Sequence, residues 1–106
     1  LANMAIKTEA SRALLYSIAR HMDTEPPDAS KLAAMVKVFS GDVAMEVCTE
    51  AVQVLGGYGY MQDYPVEKMM RDAKILQIYE GTNEIQRNII GQELHKEYSR
   101  IKETFF

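Results

Sequence analysis

Residues 29–57 read ASKLAAMVKVFSGDVAMEVCTEAVQVLGG, the longest uninterrupted helical pattern in the chain. Apolar side chains recur there at spacings of three and four, the period of one helix face. They are Leu32, Met35, Val36, Phe39, Val43, Val47, Ala51 and Leu55. Asp28 or Ser30 can cap the start, and Gly56 and Gly57 fit the C-terminal end. The stretch therefore predicts one helix of about 40 Å.

Gly41 lies in the interior of this predicted helix. Glycine at such a position costs about 1 kcal/mol relative to alanine. We therefore predict that another helix approaches closely at Gly41.

Residues 1–24 carry a second helical pattern, which ends at Pro26-Pro27 because proline cannot continue a helix. Its apolar face consists of Ile6, Ala10, Ala13, Leu14, Ile18 and Met22. Two long antiparallel helices are thus expected in the first half of the chain.

The second half is less regular. Residues 66–79 are ambiguous: residues 66–71 could form a short helix, and the apolar run at residues 75–79 is β-compatible but has no partner strand. We predict a loop or irregular segment there. Thr82 or Asn83 can cap a further helix, which Gly91 is expected to interrupt before a last helix over residues 92–102. The prediction for the whole chain is an all-α, up-down helical bundle with two or three shorter helices beside the long pair.

Composition excludes several classes of protein. The 106 residues are 47% apolar and 25% charged, as in ordinary globular domains, and the net charge of −3 argues against a nucleic-acid module. No apolar run approaches the length of a membrane span, and no signal peptide is visible.

Cys48 is the one cysteine, so no internal disulfide can form, and His21 and His95 lack metal-ligand spacing. Because the chain starts at Leu1, we expect a processed product or a part of a longer protein.

Two segments could carry chemistry. The glycine-rich run at residues 56–59 is either a phosphate cradle or a helix-terminating turn, and the three tyrosines in residues 58–64 either pack that turn or form an interface or cofactor lid. Glu80 follows an apolar run and precedes a helix cap. Apolar neighbours would disfavour its charged form, as a general base near neutral pH requires; the alternative is a solvated residue beside a helix N-terminus.

Three motifs carry a specific resemblance. They read QVLGGYGY at residues 53–60, YPVEKMMRDAK at residues 64–74 and IYEGTNEIQR at residues 78–87. Together they resemble the C-terminal helical domain of the flavin-dependent acyl-CoA dehydrogenases, of the short- and medium-chain type. The flanking helices are similar to that domain as well, so the resemblance spans nearly the whole chain.

The resemblance implies a reaction of fatty-acid β-oxidation. In this family acyl-CoA is oxidised to trans-2-enoyl-CoA, a glutamate removes the α-proton, and the β-hydrogen passes as hydride to N5 of FAD. Electrons then pass to an electron-transfer flavoprotein. Glu80 matches the catalytic base of the short- and medium-chain members.

The resemblance also assigns binding residues. The backbone N–H of Glu80 would help to polarise the thioester carbonyl, and Glu84 stands where some relatives contact the adenine end of the cofactor. The expected substrate-binding residues are Tyr79 and Gly81, and the expected FAD-binding residues are Thr82 and, toward a neighbouring subunit, Gln53, Gly56 and Gly57. Arg71 and Asp72 fit structural ion pairs, and no metal is implied.

Residues 1–106 would then form part of the family's C-terminal domain, lacking the first of its four long helices. The implied parent is a homotetramer without nucleic-acid partners or a membrane span. It would be a cytoplasmic bacterial enzyme, with a mature mitochondrial enzyme as the alternative, and this chain alone would be inactive. The rival interpretations are a non-catalytic helical interaction or oligomerisation module and an acyl-CoA oxidase.

Overall fold

The computed structural model describes all residues from 1 to 106 and contains α-helices but no β-strand. The helices are α1 (Ala2–Met22), α2 (Ala29–Leu55), α3 (Gly57–Tyr60), α4 (Val66–Lys74) and α5 (Asn83–Phe105), and a 3₁₀ turn (Ile75–Gln77) follows α4. The predicted all-α bundle is confirmed. None of the helices combines the length and apolar character that a membrane crossing requires.

Helix α2 is the central element, and the other long helices run antiparallel to it. On one side α1 packs along it, with Ser11 Oγ donating to Ser40 Oγ at 2.9 Å. On the other side α4 covers the C-terminal half of α2 and α5 covers the N-terminal half, where Lys31 pairs with Glu97. The buried apolar core is small: Ile18, Ala34, Val38, Val43 and Ala73.

The predicted loop is wrong for residues 66–77, which form α4 and the 3₁₀ turn, whereas residues 78–79 are irregular as predicted. Val66, Met70 and Ala73 form the less exposed side of α4, at helical spacing. Arg71 pairs with the largely covered Glu67 across one turn, which stabilises a short helix. The β-compatible run that follows obscured this nine-residue pattern in the sequence.

The predicted break at Gly91 is also wrong, since α5 continues without interruption from Asn83 to Phe105. Gly91 is exposed, and outside the adjacent backbone of its own helix no atom lies within 4 Å of the position that a Cβ would occupy. A single glycine costs about 1 kcal/mol, and the 23-residue helix tolerates it.

The close approach predicted at Gly41 is confirmed. A Cβ there would lie 2.9 Å from the carbonyl oxygen of Leu76 and 3.3 Å from Nδ2 of Asn83. The approaching elements are therefore the 3₁₀ turn and the start of α5. This contact fixes both ends of the loop at residues 78–82 against the middle of α2.

Candidate active site

The loop that carries Glu80 has an unusual backbone. Glu80 has a φ of 55° and Gly81 a φ of 85°, so two consecutive residues adopt the left-handed region. Glycine accepts this conformation freely, whereas a residue with a Cβ pays about 1–2 kcal/mol. Contacts with the helices on either side must therefore hold Glu80 in place.

Two side chains hold consecutive carbonyl groups of this loop. Gln86 Nε2, from the first turns of α5, donates to the carbonyl oxygen of Glu80 at 2.8 Å. Lys37 Nζ, from α2, donates to the carbonyl oxygen of Gly81 at 2.8 Å and to Oδ1 of Asn83 at 2.6 Å. The loop is thus hydrogen-bonded to both α2 and α5.

Asn83 is the most deeply buried side chain of the molecule, with 2% of its surface exposed. Its Nδ2 donates to Asp42 Oδ1 at 2.7 Å and, at 3.4 Å, to the carbonyl oxygen of Val38. Together with the bond from Lys37, these contacts satisfy both ends of the amide. Asn83 therefore joins α5 to α2 at the point where the loop ends.

Asp42 is the acceptor at the base of this network. Burial raises the pKa of its carboxyl, but hydrogen bonds from Gln77, Asn83 and Arg87 and the charge of Arg87 outweigh burial and set the pKa below its ordinary value. Gln77 Nε2 donates at 2.9 Å, and Arg87 forms an ion pair with the carboxylate. Asp42 is therefore ionised at neutral pH and binds three donors, one from the 3₁₀ turn and two from α5.

Thr82 caps α5, as one of the two sequence alternatives predicted. Its Oγ1 accepts from the N–H of Ile85 at 3.3 Å, and Glu84 lies in the first turn, where a negative charge is favourable. The backbone N–H groups of Glu80, Gly81 and Thr82 donate no hydrogen bond within the chain. Three successive N–H groups are thus free at the positive end of a long helix, which suits an oxygen or anionic ligand.

The side chains of the loop differ from expectation in one respect. Glu80 and Tyr79 are both exposed, Tyr79 to 51%. The apolar surroundings that the sequence suggested for Glu80 are therefore absent from this chain, because the preceding run forms the 3₁₀ turn and only part of it packs against α2.

The glycine-rich segment lies elsewhere. Gly56, with a φ of 61°, ends α2 and donates its N–H to the carbonyl oxygen of Gln53 at 3.1 Å. A Cβ at Gly56 or Gly57 would meet nothing within 4 Å. From Asp42 to Gly56 the rise of α2 corresponds to about 20 Å. The structure thus brings Tyr79, Glu80, Gly81 and Thr82 together and leaves Gln53, Gly56 and Gly57 at the far end of α2.

The tyrosines of this segment only partly pack one another. The rings of Tyr58 and Tyr64 lie 5.6 Å apart at 51°, while Tyr60 is 80% exposed. Gly59 is required for packing, because a Cβ there would lie 2.4 Å from the carbonyl oxygen of Val52. The turn is thus closed by its own residues, and Tyr60 stays free.

The sequence matches a known domain over most of its length. Residues 1–95 match the family model "Acyl-CoA dehydrogenase, C-terminal domain". The chain belongs to the acyl-CoA dehydrogenase family. The resemblance stated from the three motifs is therefore confirmed, as is the fold that it implied.

Three relatives illustrate the match. It is 54% identical over 97 residues to cyclohexane-1-carbonyl-CoA dehydrogenase of Geobacter metallireducens, covering 92% of the chain and 25% of the relative. It is 50% identical to butyryl-CoA dehydrogenase from Megasphaera elsdenii, with a TM-score of 0.81 over 88% of the chain and 24% of that structure. A chain from a structure described as the electron transferring flavoprotein of Acidaminococcus fermentans is 53% identical, with a TM-score of 0.82 over 88% and 24%. The chain thus spans about a quarter of the length of these proteins.

Sequence reasoning missed three residues that hold the loop, Lys37, Asp42 and Gln86, and it named Asn83 only as a possible helix cap. Lys37 and Asp42 are polar residues within the apolar pattern of α2, which was the one available signal. Arg71 and Asp72 lie in separate ion pairs of α4, with Glu67 and Lys68 respectively. No group of three His, Cys, Asp or Glu side chains lies close enough together to hold a metal ion.

Proposed function

We propose that this chain is the helical part of an FAD-dependent acyl-CoA dehydrogenase in which Glu80 removes the α-proton of the substrate. The observation that carries the proposal is the loop itself: an exposed carboxylate and three free N–H groups lie on a backbone whose carbonyl groups are tied down. The family to which the chain belongs supports the substrate class.

The chemistry follows from what the loop offers. The carboxylate of Glu80 accepts the proton from the carbon next to the thioester carbonyl, and the N–H of Glu80 donates to the carbonyl oxygen, which stabilises the charge that develops there. FAD, when bound, supplies the acceptor for the β-hydrogen, which leaves as hydride. The product is trans-2-enoyl-CoA. Tyr79 lines the acyl pocket, and Gly81 allows the chain to turn beside it.

The free donors and open glycines fit a flavin dinucleotide. Thr82 presents its N–H at the positive end of α5, where an oxygen-rich cofactor is favoured. Gly56 and Gly57 leave open space beside the backbone, so a ligand can approach them closely. Since Gln53, Gly56 and Gly57 lie far from Glu80 along α2, we assign them to the FAD of a neighbouring subunit in a homotetramer. An electron-transfer flavoprotein then receives the electrons.

Turnover by the full-length, FAD-loaded protein that carries this sequence tests the proposal. Acyl-CoA and an external electron acceptor are supplied, and enoyl-CoA is measured by mass spectrometry. Glu80→Gln is expected to lower the rate per bound flavin by at least about 100-fold, the lower range for loss of a general base. Glu25→Gln is the matched control, because Glu25 is the other glutamate with a left-handed backbone, at a φ of 50°. A Glu80→Gln variant as active as this control would contradict the assignment.

The mass of the native polypeptide distinguishes the dehydrogenase from the rival function, a freestanding helical interaction module. Because the chain spans about a quarter of its relatives, the dehydrogenase predicts a native polypeptide about four times as heavy, found through the peptide over residues 78–87. A native polypeptide of the mass of this chain alone favours the module. We also propose that the isolated chain does not oxidise acyl-CoA, and acceptor reduction by that chain with butyryl-CoA and FAD would refute this.

A further inference from the structure

At Glu80 and Gly81 the loop is held by its carbonyl groups. Gln86 and Lys37 donate to the carbonyl oxygens of Glu80 and Gly81, at 2.8 Å each. The two donors come from α5 and α2, so they reach successive carbonyl groups of the loop from different helices.

These bonds determine where the neighbouring N–H groups point. In a planar trans peptide the C=O and the following N–H point in opposite directions. With the C=O of Glu80 bound to Gln86, the N–H of Gly81 is directed away from it, and with the C=O of Gly81 bound to Lys37 the same holds for Thr82. Both N–H groups remain without partners in the chain.

The same bonds maintain an unfavourable conformation at Glu80. A left-handed residue with a Cβ relaxes to the right-handed or extended region unless its surroundings hold it. Such a relaxation would redirect the side chain, because φ and ψ set the direction of the Cα–Cβ bond. Neither Lys37 nor Gln86 forms a hydrogen bond or ion pair with the Glu80 carboxylate, so both act through the backbone.

Lys37 is well suited to this task. It forms no ion pair with any carboxylate, so its ammonium donors are directed to two neutral oxygens, those of Gly81 and Asn83. Asn83 is in turn bound to Asp42 on the same helix as Lys37. The ammonium is therefore held between α2 and the start of α5 before any ligand binds.

We propose that Lys37 and Gln86 are positioning residues that hold the left-handed backbone of Glu80 and so aim its carboxylate at the substrate. This inference rests on the proposed function of Glu80 as the base. It assigns a role in the reaction to two residues that contact neither the reacting atoms nor the glutamate side chain.

The test uses Lys37→Met and Gln86→Met in the full-length, FAD-loaded protein. Methionine keeps an unbranched side chain, as long as glutamine and one atom shorter than lysine, and removes the donors. Lys96→Met is the matched control, because Lys96 is an exposed lysine of α5 that pairs only with Glu93. Measured quantities are bound flavin, kcat per flavin, KM and the isotope effect on kcat with substrate deuterated at the α-carbon.

In both variants the carboxylate of Glu80 is no longer held in position. We therefore expect kcat per flavin to fall by about 10- to 100-fold, as for misplacement of a catalytic group by about 1 Å. KM should stay within about twofold and the α-deuterium isotope effect should rise, because proton removal becomes slower. Lys37→Arg, which keeps charge and donors, should recover part of the loss. A merely structural role would lower flavin content and leave kcat per flavin and the isotope effect unchanged.

The outcomes separate this inference from the proposed function. If Glu80→Gln retains activity, the function of Glu80 is wrong and the positioning role falls with it. If Glu80→Gln is inactive while flavin-loaded Lys37→Met or Gln86→Met matches Lys96→Met in kcat, only the positioning role is refuted. Should Lys37→Met fail to fold, Gln86→Met decides alone, because its amide makes only the bond to Glu80.

Discussion

Asn83→Asp is the substitution that probes the buried network most sharply. It preserves the size of the side chain but replaces the Nδ2 donor with an oxygen. That atom lies 2.7 Å from Oδ1 of Asp42 in the native chain. Two acceptors would then face each other at a position where only 2% of the side chain is exposed.

The size of the stability loss is set by whichever of two responses costs less free energy: both carboxyls stay ionised, or one of them takes up a proton. Two ionised carboxylates with oxygens 2.7 Å apart repel by about 6 kcal/mol at an effective dielectric constant of 20. Taking up one proton at pH 7 instead costs about 4 kcal/mol, from an ordinary pKa near 3.9 and 1.36 kcal/mol for each pH unit. Sharing one proton between the two carboxyls therefore limits the loss of unfolding free energy to at most about 4 kcal/mol at pH 7, and Lys37 Nζ, which donates to Oδ1 of Asn83 at 2.6 Å, reduces that cost.

The loss must depend on pH with a definite sign. Since the proton binds more tightly in the folded state, the pKa of the new carboxyl is raised on folding. The deficit therefore grows as pH rises above the unfolded pKa and shrinks as pH falls toward it, to at most about 1.5 kcal/mol at pH 5.

Unfolding midpoints at pH 7 and pH 5, followed through the helical circular dichroism signal, measure this. The difference in unfolding free energy between wild type and Asn83→Asp should shrink by more than half from pH 7 to pH 5. Asn83→Ala removes the same hydrogen bonds without adding a titratable group, so its difference from wild type should stay constant. An Asn83→Asp variant as stable as wild type at pH 7, or with an equal difference at both pH values, would refute the proposed hydrogen-bond network.

Three further predictions concern packing, capping and a thiol. Gly41→Ala should cost about 1–3 kcal/mol, because its Cβ would lie 2.9 Å from the carbonyl oxygen of Leu76; an unchanged unfolding midpoint would contradict the close approach. Thr82→Ala should cost about 1 kcal/mol through loss of the cap on the N–H of Ile85, whereas Thr82→Ser should retain most of that stability in the same unfolding assay. Burial raises the pKa of the Cys48 thiol, so alkylation followed by intact mass should be slow at pH 7 and accelerate above pH 9, and fast labelling at pH 7 would count against it.

The long helices could be predicted because their apolar residues alone specify them. The face that begins at Leu32 and ends at Leu55 needs no tertiary information, and Gly56 marks its end. The start of α5 was likewise predictable from Thr82. Where local signals were weak or conflicting, prediction failed: at Gly91, a single glycine was treated as a break although the helix around it is long enough to bear its cost.

The candidate site was predictable only at the residues of the motif itself. Glu80 and its neighbours follow from the resemblance, because the motif is contiguous in sequence. Lys37 and Asp42 could not be found in that way, since they lie about forty residues away and reach the loop only when α2 and α5 pack antiparallel. The exposure of Glu80 could not be predicted from the sequence either, because it depends on which side of the 3₁₀ turn faces α2.

Reduction of bound FAD by acyl-CoA in a single anaerobic turnover tests the central claim most directly. The full-length protein is mixed rapidly with saturating substrate, and the loss of oxidised-flavin absorbance is followed for wild type, Glu80→Gln and Glu25→Gln. The account predicts prompt reduction in wild type and Glu25→Gln, and reduction slowed at least about 100-fold in Glu80→Gln at equal flavin content. Reduction of Glu80→Gln at the wild-type rate would contradict the assignment of Glu80 as the base.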